Sequence, residues 1–253
     1  MILFVLEGAR RESRILNSIR SLFFKPQDEQ SELVIIHTYE SNFHSLYKQL
    51  KNNDLDLIPV LKKQLKERND PALVNYREED FAEKYLIFDY DFHDSHNSIE
   101  KLNEELYELL TFFNEETEHG KLYINYPMVE AIRYTKKLPD PNFYTYTATR
   151  TQSHDFKRIS NEFSYYGNDE FICVGEKNTE FQRNEALKNW KLLEEQNVTK
   201  ANYICNRHNS LPEKKKDVSQ HKVFDAQVKN YVTPNGEVSI LSAFPLFLYE
   251  YFK

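Results

Sequence analysis

Tyr85–Asp94, YLIFDYDFHD, decides how this chain reads: the apolar run Tyr85–Phe88 delivers two carboxylates, Asp89 and Asp91, at its exit. A short continuous run of β-forming apolar side chains is the pattern of a strand covered on both faces, as parallel strands are. Side chains two apart in extended chain share a face, so Asp89 and Asp91 are expected to converge. The C-terminal end of a parallel strand is where open α/β sheets bind ligands. Two carboxylates brought that close need a proton or a cation between them, and oxygen donors of this kind favour Mg²⁺ or Mn²⁺. A DxD also suits a turn that caps the next helix, so its neighbours have to decide.

Upstream, Ile2–Leu6 is another buried-strand run that ends at Glu7-Gly8, and Ile15, Leu16, Ile19, Leu22 and Phe23 then recur at helical spacing. Leu33–Ile36 reads as a strand leading into a helix around Phe43, Leu46, Tyr47 and Leu50. Leu55–Leu65 continues helically past Pro59, and residues 69–80 read as a loop. Downstream, Asn97 and Glu100 predict a capping pair for a helix faced by Ile99, Leu102, Leu106, Leu109, Leu110 and Phe113, ending at His119-Gly120. Leu122–Ile124 is a fourth strand whose exit carries Asn125, Pro127 and Glu130. Strands alternating with helices predict a parallel, Rossmann-like α/β sheet flanked by helices. Glu7, Asp89, Asp91 and residues 125–130 would then leave one edge of it.

Residues 1–140 form the expected catalytic core. Beyond Pro139 and Pro141 the pattern changes to an aromatic run, FYTYTATR, and helices around 156–163, 181–193 and 223–228, so 141–253 is expected to be a mixed, mainly helical lobe. The apolar segment 239–252 is expected to pack back onto the core. Five Gly and nine Pro in 253 residues, with 29% charged and 14% aromatic side chains, describe a folded, helix-rich protein. Cys173 and Cys205 have no CxxC spacing, which signals neither zinc nor a disulfide framework and suits a reducing cytoplasm. The N-terminal apolar run is too short for a signal peptide, and no stretch reaches membrane-spanning length, so no membrane partner is expected.

A net charge of -7 argues against broad affinity for nucleic acid but leaves room for a local basic rim. Arg10, Arg11, Lys136, Lys137 and Arg150 are the candidates for contacting nucleic acid, with Arg14, Lys157, Arg158 and Lys214–Lys216 behind them. Taken singly, each reads better as a solvated surface charge.

The segments FVLEGARRE, YLIFDYDF and INYPMVE, in that order along alternating strands and helices, resemble the Toprim (topoisomerase–primase) family. Glu7-Gly8 matches the family's Glu after the first strand, and Asp89 and Asp91 match its later DxD. With Glu12 five positions after Glu7, and Pro127-x-x-Glu130, the pattern is most similar to the short Toprim-like phage-defence proteins of RloB and AbiLii type. That resemblance covers about the first half of the chain and implies a Mg²⁺- or Mn²⁺-dependent nuclease acting on RNA, tRNA or DNA in abortive, anti-phage defence. Proteins of that type sometimes sit beside an ATPase subunit, and since no G-x-x-x-x-G-K-[ST] occurs in this chain any such ATPase would be a separate polypeptide. A homo-oligomer is compatible with the resemblance.

The chemistry can be read from the residues alone. Phosphodiester cleavage needs charge stabilised on non-bridging and leaving oxygens, which carboxylate-held divalent metal supplies. Asp89, Asp91 and Glu7 are the expected metal ligands and catalytic residues, with Glu7 alternatively a general base or acid whose pKa neighbouring charges raise. Glu12, Glu130, Asn125 and His93 rank second, and Asp94 and His96 flank the cluster. Two other readings stand beside this one: a non-catalytic binding or effector module, and a phosphatase with Asp89 as nucleophile and Asp91 as acid. Glu7-Gly8 upstream disfavours the phosphatase.

Overall fold

Ile2–Leu6 forms strand β1 with all five residues buried, as a run of apolar side chains held between two sheet neighbours requires. The structure is a computed structural model that describes residues 1–24, 34–53, 56–94 and 97–252. The 26–32 run, Leu33, Leu55 and His96 lie outside the described residues. Helix α1 (Arg11–Phe23) follows β1, burying Ile15, Leu16, Ile19 and Leu22 at the expected spacing. Next come β2 (Val34–Thr38), α2 (Phe43–Asn53) and α3 (Leu57–Glu67). Pro59 sits in the first turn of α3, where its missing N–H has no helical acceptor to serve. The chain then enters β3 (Glu83–Asp89), α4 (Ile99–Phe112), β4 (Asn114–Glu115) and β5 (Gly120–Asn125).

Among the described residues these strands make one five-stranded sheet in the order β2-β1-β3-β5-β4. β2, β1, β3 and β5 run parallel, and only β4 is antiparallel. Leu6 lies opposite Ile87, and Asp89 opposite Asn125. Three strands therefore end together, and Glu7, Asp89 and Asn125 share the C-terminal edge of the sheet.

Two local expectations are corrected. The cap of α4 is Ser98, whose side chain accepts from the Lys101 N–H at 3.2 Å, while Asn97 donates its amide to Asp94 Oδ2 at 2.7 Å. The helix also ends at Phe112 and not at His119-Gly120, because the chain turns back as a β4–β5 hairpin. Gly120 opens β5 with φ +119°, and a Cβ there would stand 2.9 Å from Leu86 Cδ1, so glycine serves the strand and not a helix cap.

Beyond residue 140 the chain forms β6 (Thr147–Thr149), α5 (Arg150–His154), α6 (Phe156–Phe163), α7 (Glu180–Asn206) and α8 (Gln220–Gln227). A π-helical turn (Val228–Val232), α9 (Thr233–Asn235), β7 (Glu237–Ser239) and α10 (Ala243–Phe252) complete it. Helix α7 outruns the expected 181–193. It starts at a Thr179/Gln182 capping box and continues through the fully buried Lys200, whose amine donates to the carbonyls of Phe143 (2.9 Å) and Tyr146 (2.7 Å). β6 and β7 pair antiparallel, a ribbon that the aromatic run at 143–150 did not announce.

The apolar C-terminal segment packs onto the sheet. Phe247 of α10 stands edge-on to Phe4 and Tyr85 of the two central strands, with ring centroids 5.2 and 5.0 Å away. Burying a side chain of this size contributes about 2–3 kcal/mol. No helix among the described residues is long and apolar enough to cross a membrane.

Candidate active site

The site starts where β1 and β3 stop. Glu7 donates its N–H to the Ile87 carbonyl (3.1 Å) and accepts the Glu40 N–H at its own carbonyl (2.8 Å), so its backbone is tied on both sides. Its carboxylate Oε2 accepts the Asp89 N–H at 2.8 Å. Asp89 Oδ1 in turn accepts from the Asn125 amide at 3.0 Å. Asn125 is 0% exposed, and its Oδ1 accepts the Ala243 N–H (2.8 Å) and the Ser242 hydroxyl (3.4 Å). It therefore joins Asp89 to the start of α10.

Asp91 arrives by a turn and not by strand alternation alone. β3 ends at Asp89, and Asp91 has φ +51°, a left-handed conformation that Asp tolerates better than most residues. Tyr90 and Phe92 anchor the turn, buried on either side of Asp91 with rings stacked 5.5 Å apart. The Asn42 side chain favours the charged form of the Asp91 carboxylate. The same Asn42 accepts the Ser45 N–H at 3.0 Å, at the start of α2.

Glu12 folds back from the first turn of α1 toward Gly8, where the backbone N–H groups of Gly8 and Glu12 favour its charged form. A Cβ on Gly8 would lie 2.5 and 2.6 Å from its two oxygens, so the glycine is what admits this carboxylate. Glu130, in the 3₁₀ turn Val129–Arg133 after β5, accepts from Arg11 Nη1 at 2.5 Å.

These carboxylates feel one another. Burial raises the proton affinity of Asp89 well above the ordinary range, and repulsion from Glu7, Glu12, Asp91 and Glu130 adds to it. Glu7 is raised in the same way, by burial, then Asp91 and Glu12, against the Asp89 N–H that favours its charged form. Burial and then Asp94 push Asp91 up to about 6, with Asn42 opposing. Glu12 is raised by burial and by Glu130, against nearby backbone N–H groups and Arg11 that favour its charged form. Five acidic side chains thus share one neighbourhood in which full ionisation is unfavourable without a counter-charge.

The donor chemistry fits a hard divalent cation: oxygen ligands only, and a buried Asp91 Oδ2 that has no hydrogen-bond partner. Among the described residues no three His, Cys, Asp or Glu side chains already converge on one point to hold a metal ion. Mg²⁺ does not demand that cage, since it commonly takes one or two carboxylates and fills its shell with water and substrate phosphate.

Alongside the cluster lies an open cleft of about 570 Å³, lined by Gly8, Glu12 and Glu130 on the acidic side and by Arg10, Arg11, Arg14 and Lys157 as cations. Arg10 and Arg11 are thus beside the carboxylates, whereas Lys136, Lys137 and Arg150 do not line the cleft. The exposed Lys136 donates to the Phe163 carbonyl (2.8 Å) over the Phe163 ring. Arg150 clamps the loop after β3 by donating to the carbonyls of Asp94 and Asn97. His93 is half-buried, 6.1 Å from the His154 ring, and burial followed by the His154 charge lowers its pKa, which favours a neutral imidazole.

Asn42 and Asp169 escaped the sequence reading. Asn42 carried a usable signal, because S-N-x-x-S after β2 is a helix start at the same sheet edge. Asp169, ion-paired to Arg11 at 3.1 Å, comes from the distant turn Asp169–Phe171 and carried none. No family model, no curated protein and no solved structure matches this chain.

Proposed function

We propose that the protein is a divalent-metal-dependent nuclease that cleaves phosphodiester bonds of RNA or DNA at the Glu7, Asp89 and Asp91 edge of the sheet. The observation that carries this reading is the cluster of proton-avid carboxylates Glu7, Asp89 and Glu12, of which Glu12 lines a cleft that also bears Arg10, Arg11, Arg14 and Lys157. Acids that resist ionisation suit a cation or a proton-transfer role, and the neighbouring cations suit phosphate. Asp89 and Asp91 would hold Mg²⁺ or Mn²⁺, with Glu12 and Glu130 as further acids of the same cluster. A bound cation supplies neutralisation of the carboxylates and stabilises charge on the phosphoryl oxygens.

Glu7 Oε2 accepts the Asp89 N–H, which leaves Oε1 as the oxygen that would take a proton from the attacking hydroxyl or water. Its raised proton affinity makes it a better base than an ordinary glutamate. Asn125 holds Asp89 in place from beneath. The resemblance set out above supports a role in phage defence, with an ATPase subunit as the regulating partner.

A second reading, a non-catalytic effector module of the same fold, is favoured by the lack of a ready three-ligand cage among the described residues. Incubating the protein with total RNA and with plasmid DNA, with and without Mg²⁺, separates the two. The nuclease reading expects Mg²⁺-dependent cleavage that Glu7→Ala and Asp89→Ala abolish while the proteins stay folded. Mutants that cut as fast as wild type would remove this site from the chemistry, and a wild type that cuts nothing would favour the module.

A further inference from the structure

Arg11 is gripped more firmly than a surface arginine needs to be. Its Nη1 donates to Glu130 Oε1 at 2.5 Å, and its Nε stands 3.1 Å from Asp169 Oδ2. Among the described residues Nη2 takes no partner, and the side chain lines the cleft. Behind Asp169 stands Arg133, 0% exposed, with Nη1 fixed on the Gly167 carbonyl at 3.0 Å and Nη2 on Asn161. Arg133 Nε faces Asp169 Oδ1 at 4.0 Å. Both of those atoms are buried without a hydrogen-bond partner, and Asp169 is only 3% exposed. A carboxylate buried this deeply, between two guanidiniums and with one oxygen unspent, is costly to keep unless the arrangement is used. Its geometric effect is to fix the plane of the Arg11 guanidinium from two sides, with one donor edge left for the cleft.

We infer that Arg11 contacts a substrate phosphate through that edge and that Asp169, backed by Arg133, is its positioning residue. Planar, forked donation to phosphate depends on the orientation of the guanidinium, and a long side chain held at one nitrogen alone swings out of register. Glu130 by itself is such a one-point hold. Asp169 supplies the second point, while Arg10, Arg14 and Lys157 provide the surrounding positive potential that brings an anion in. The inference deepens the proposed function and rests on it for the identity of the anion as part of a phosphate ester.

The test reads binding and not turnover, using inorganic pyrophosphate as probe in calorimetric titrations of the full chain without divalent cation. Asp169→Asn and Arg11→Gln are each expected to weaken pyrophosphate about tenfold, and the double variant to be no weaker than either single one. Asp169→Glu should recover most of the loss. Should Asp169→Asn fail to fold, with Arg133 left unpaired, Arg11→Lys carries the test, because it keeps the charge but cannot bridge two carboxylates. Pyrophosphate binding by Arg11→Lys or Asp169→Asn at wild-type strength overturns the inference, as do single losses that simply add in the double variant. Glu7→Ala separates this from the nuclease reading. Cleavage surviving in that variant refutes the nuclease site, whereas the Arg11–Asp169 coupling stands or falls on pyrophosphate binding alone.

Discussion

Replacing Asp91 by Asn should stabilise the protein at neutral pH when no divalent cation is present. The folded protein pushes the Asp91 carboxyl up to about 6, from about 4 for an unperturbed Asp. It thus holds the proton more tightly than the unfolded chain does, and the sign follows: stability falls as pH rises from about 4 through about 6, and is then constant for this group. Two units at about 1.4 kcal/mol each set a ceiling of about 3 kcal/mol. Screening by the water that reaches this half-buried side chain reduces it to about 1–2 kcal/mol. Asn is close to isosteric, keeps an acceptor for Asn42, and tolerates the φ of +51° at this position at least as well as Asp. The variant and the wild type should therefore match near pH 4 and separate by about 1–2 kcal/mol by about pH 7. Urea midpoints with unchanged slope, taken across that range, measure the difference. Added Mg²⁺ should narrow the gap by stabilising the wild type alone. A variant less stable than wild type at about pH 8, or a difference indifferent to pH, would refute the electrostatic account of the cluster.

Two further outcomes follow from single side chains. Gly8→Ala puts a methyl group 2.5 Å from Glu12 Oε1, so Glu12 must leave its backbone donors; Mn²⁺ affinity by calorimetry should fall about tenfold, about 1.4 kcal/mol, with the circular dichroism unchanged. Asn125→Ala leaves the Ala243 N–H and Asp89 Oδ1 without their partners in the core, and should cost about 3–5 kcal/mol in denaturant unfolding, whereas an effect under about 1 kcal/mol would mean that Asn125 does not tie Asp89 to α10.

The parallel strands were legible because their signal is local. Ile2–Leu6 and Tyr85–Phe88 are apolar runs that only a doubly covered strand can bury, and both lie in β-strands of the central sheet. The shared edge followed from strand direction alone, which is why Glu7, Asp89 and Asn125 could be expected together before any contact was known. The β4–β5 hairpin was hidden because β4 is two exposed polar residues, Asn114 and Glu115, with no apolar alternation to announce it. The β6–β7 ribbon pairs segments about 90 residues apart, and its strands are three residues each, too short to carry a period. In the site, the acids were legible as types at strand exits. Their supports were not: Asp169 reaches Arg11 from across the fold, and Asn125 reaches α10, through contacts that only tertiary packing creates.

Titrating Mn²⁺ into the protein, with electron paramagnetic resonance counting free and bound ion, addresses the central claim most directly. Saturable binding in the wild type that is lost in Asp89→Ala and in Asp91→Ala, both still folded, is the expected result. A wild type that takes up no Mn²⁺, or alanine variants that bind it as tightly, would contradict a cation site at this edge of the sheet.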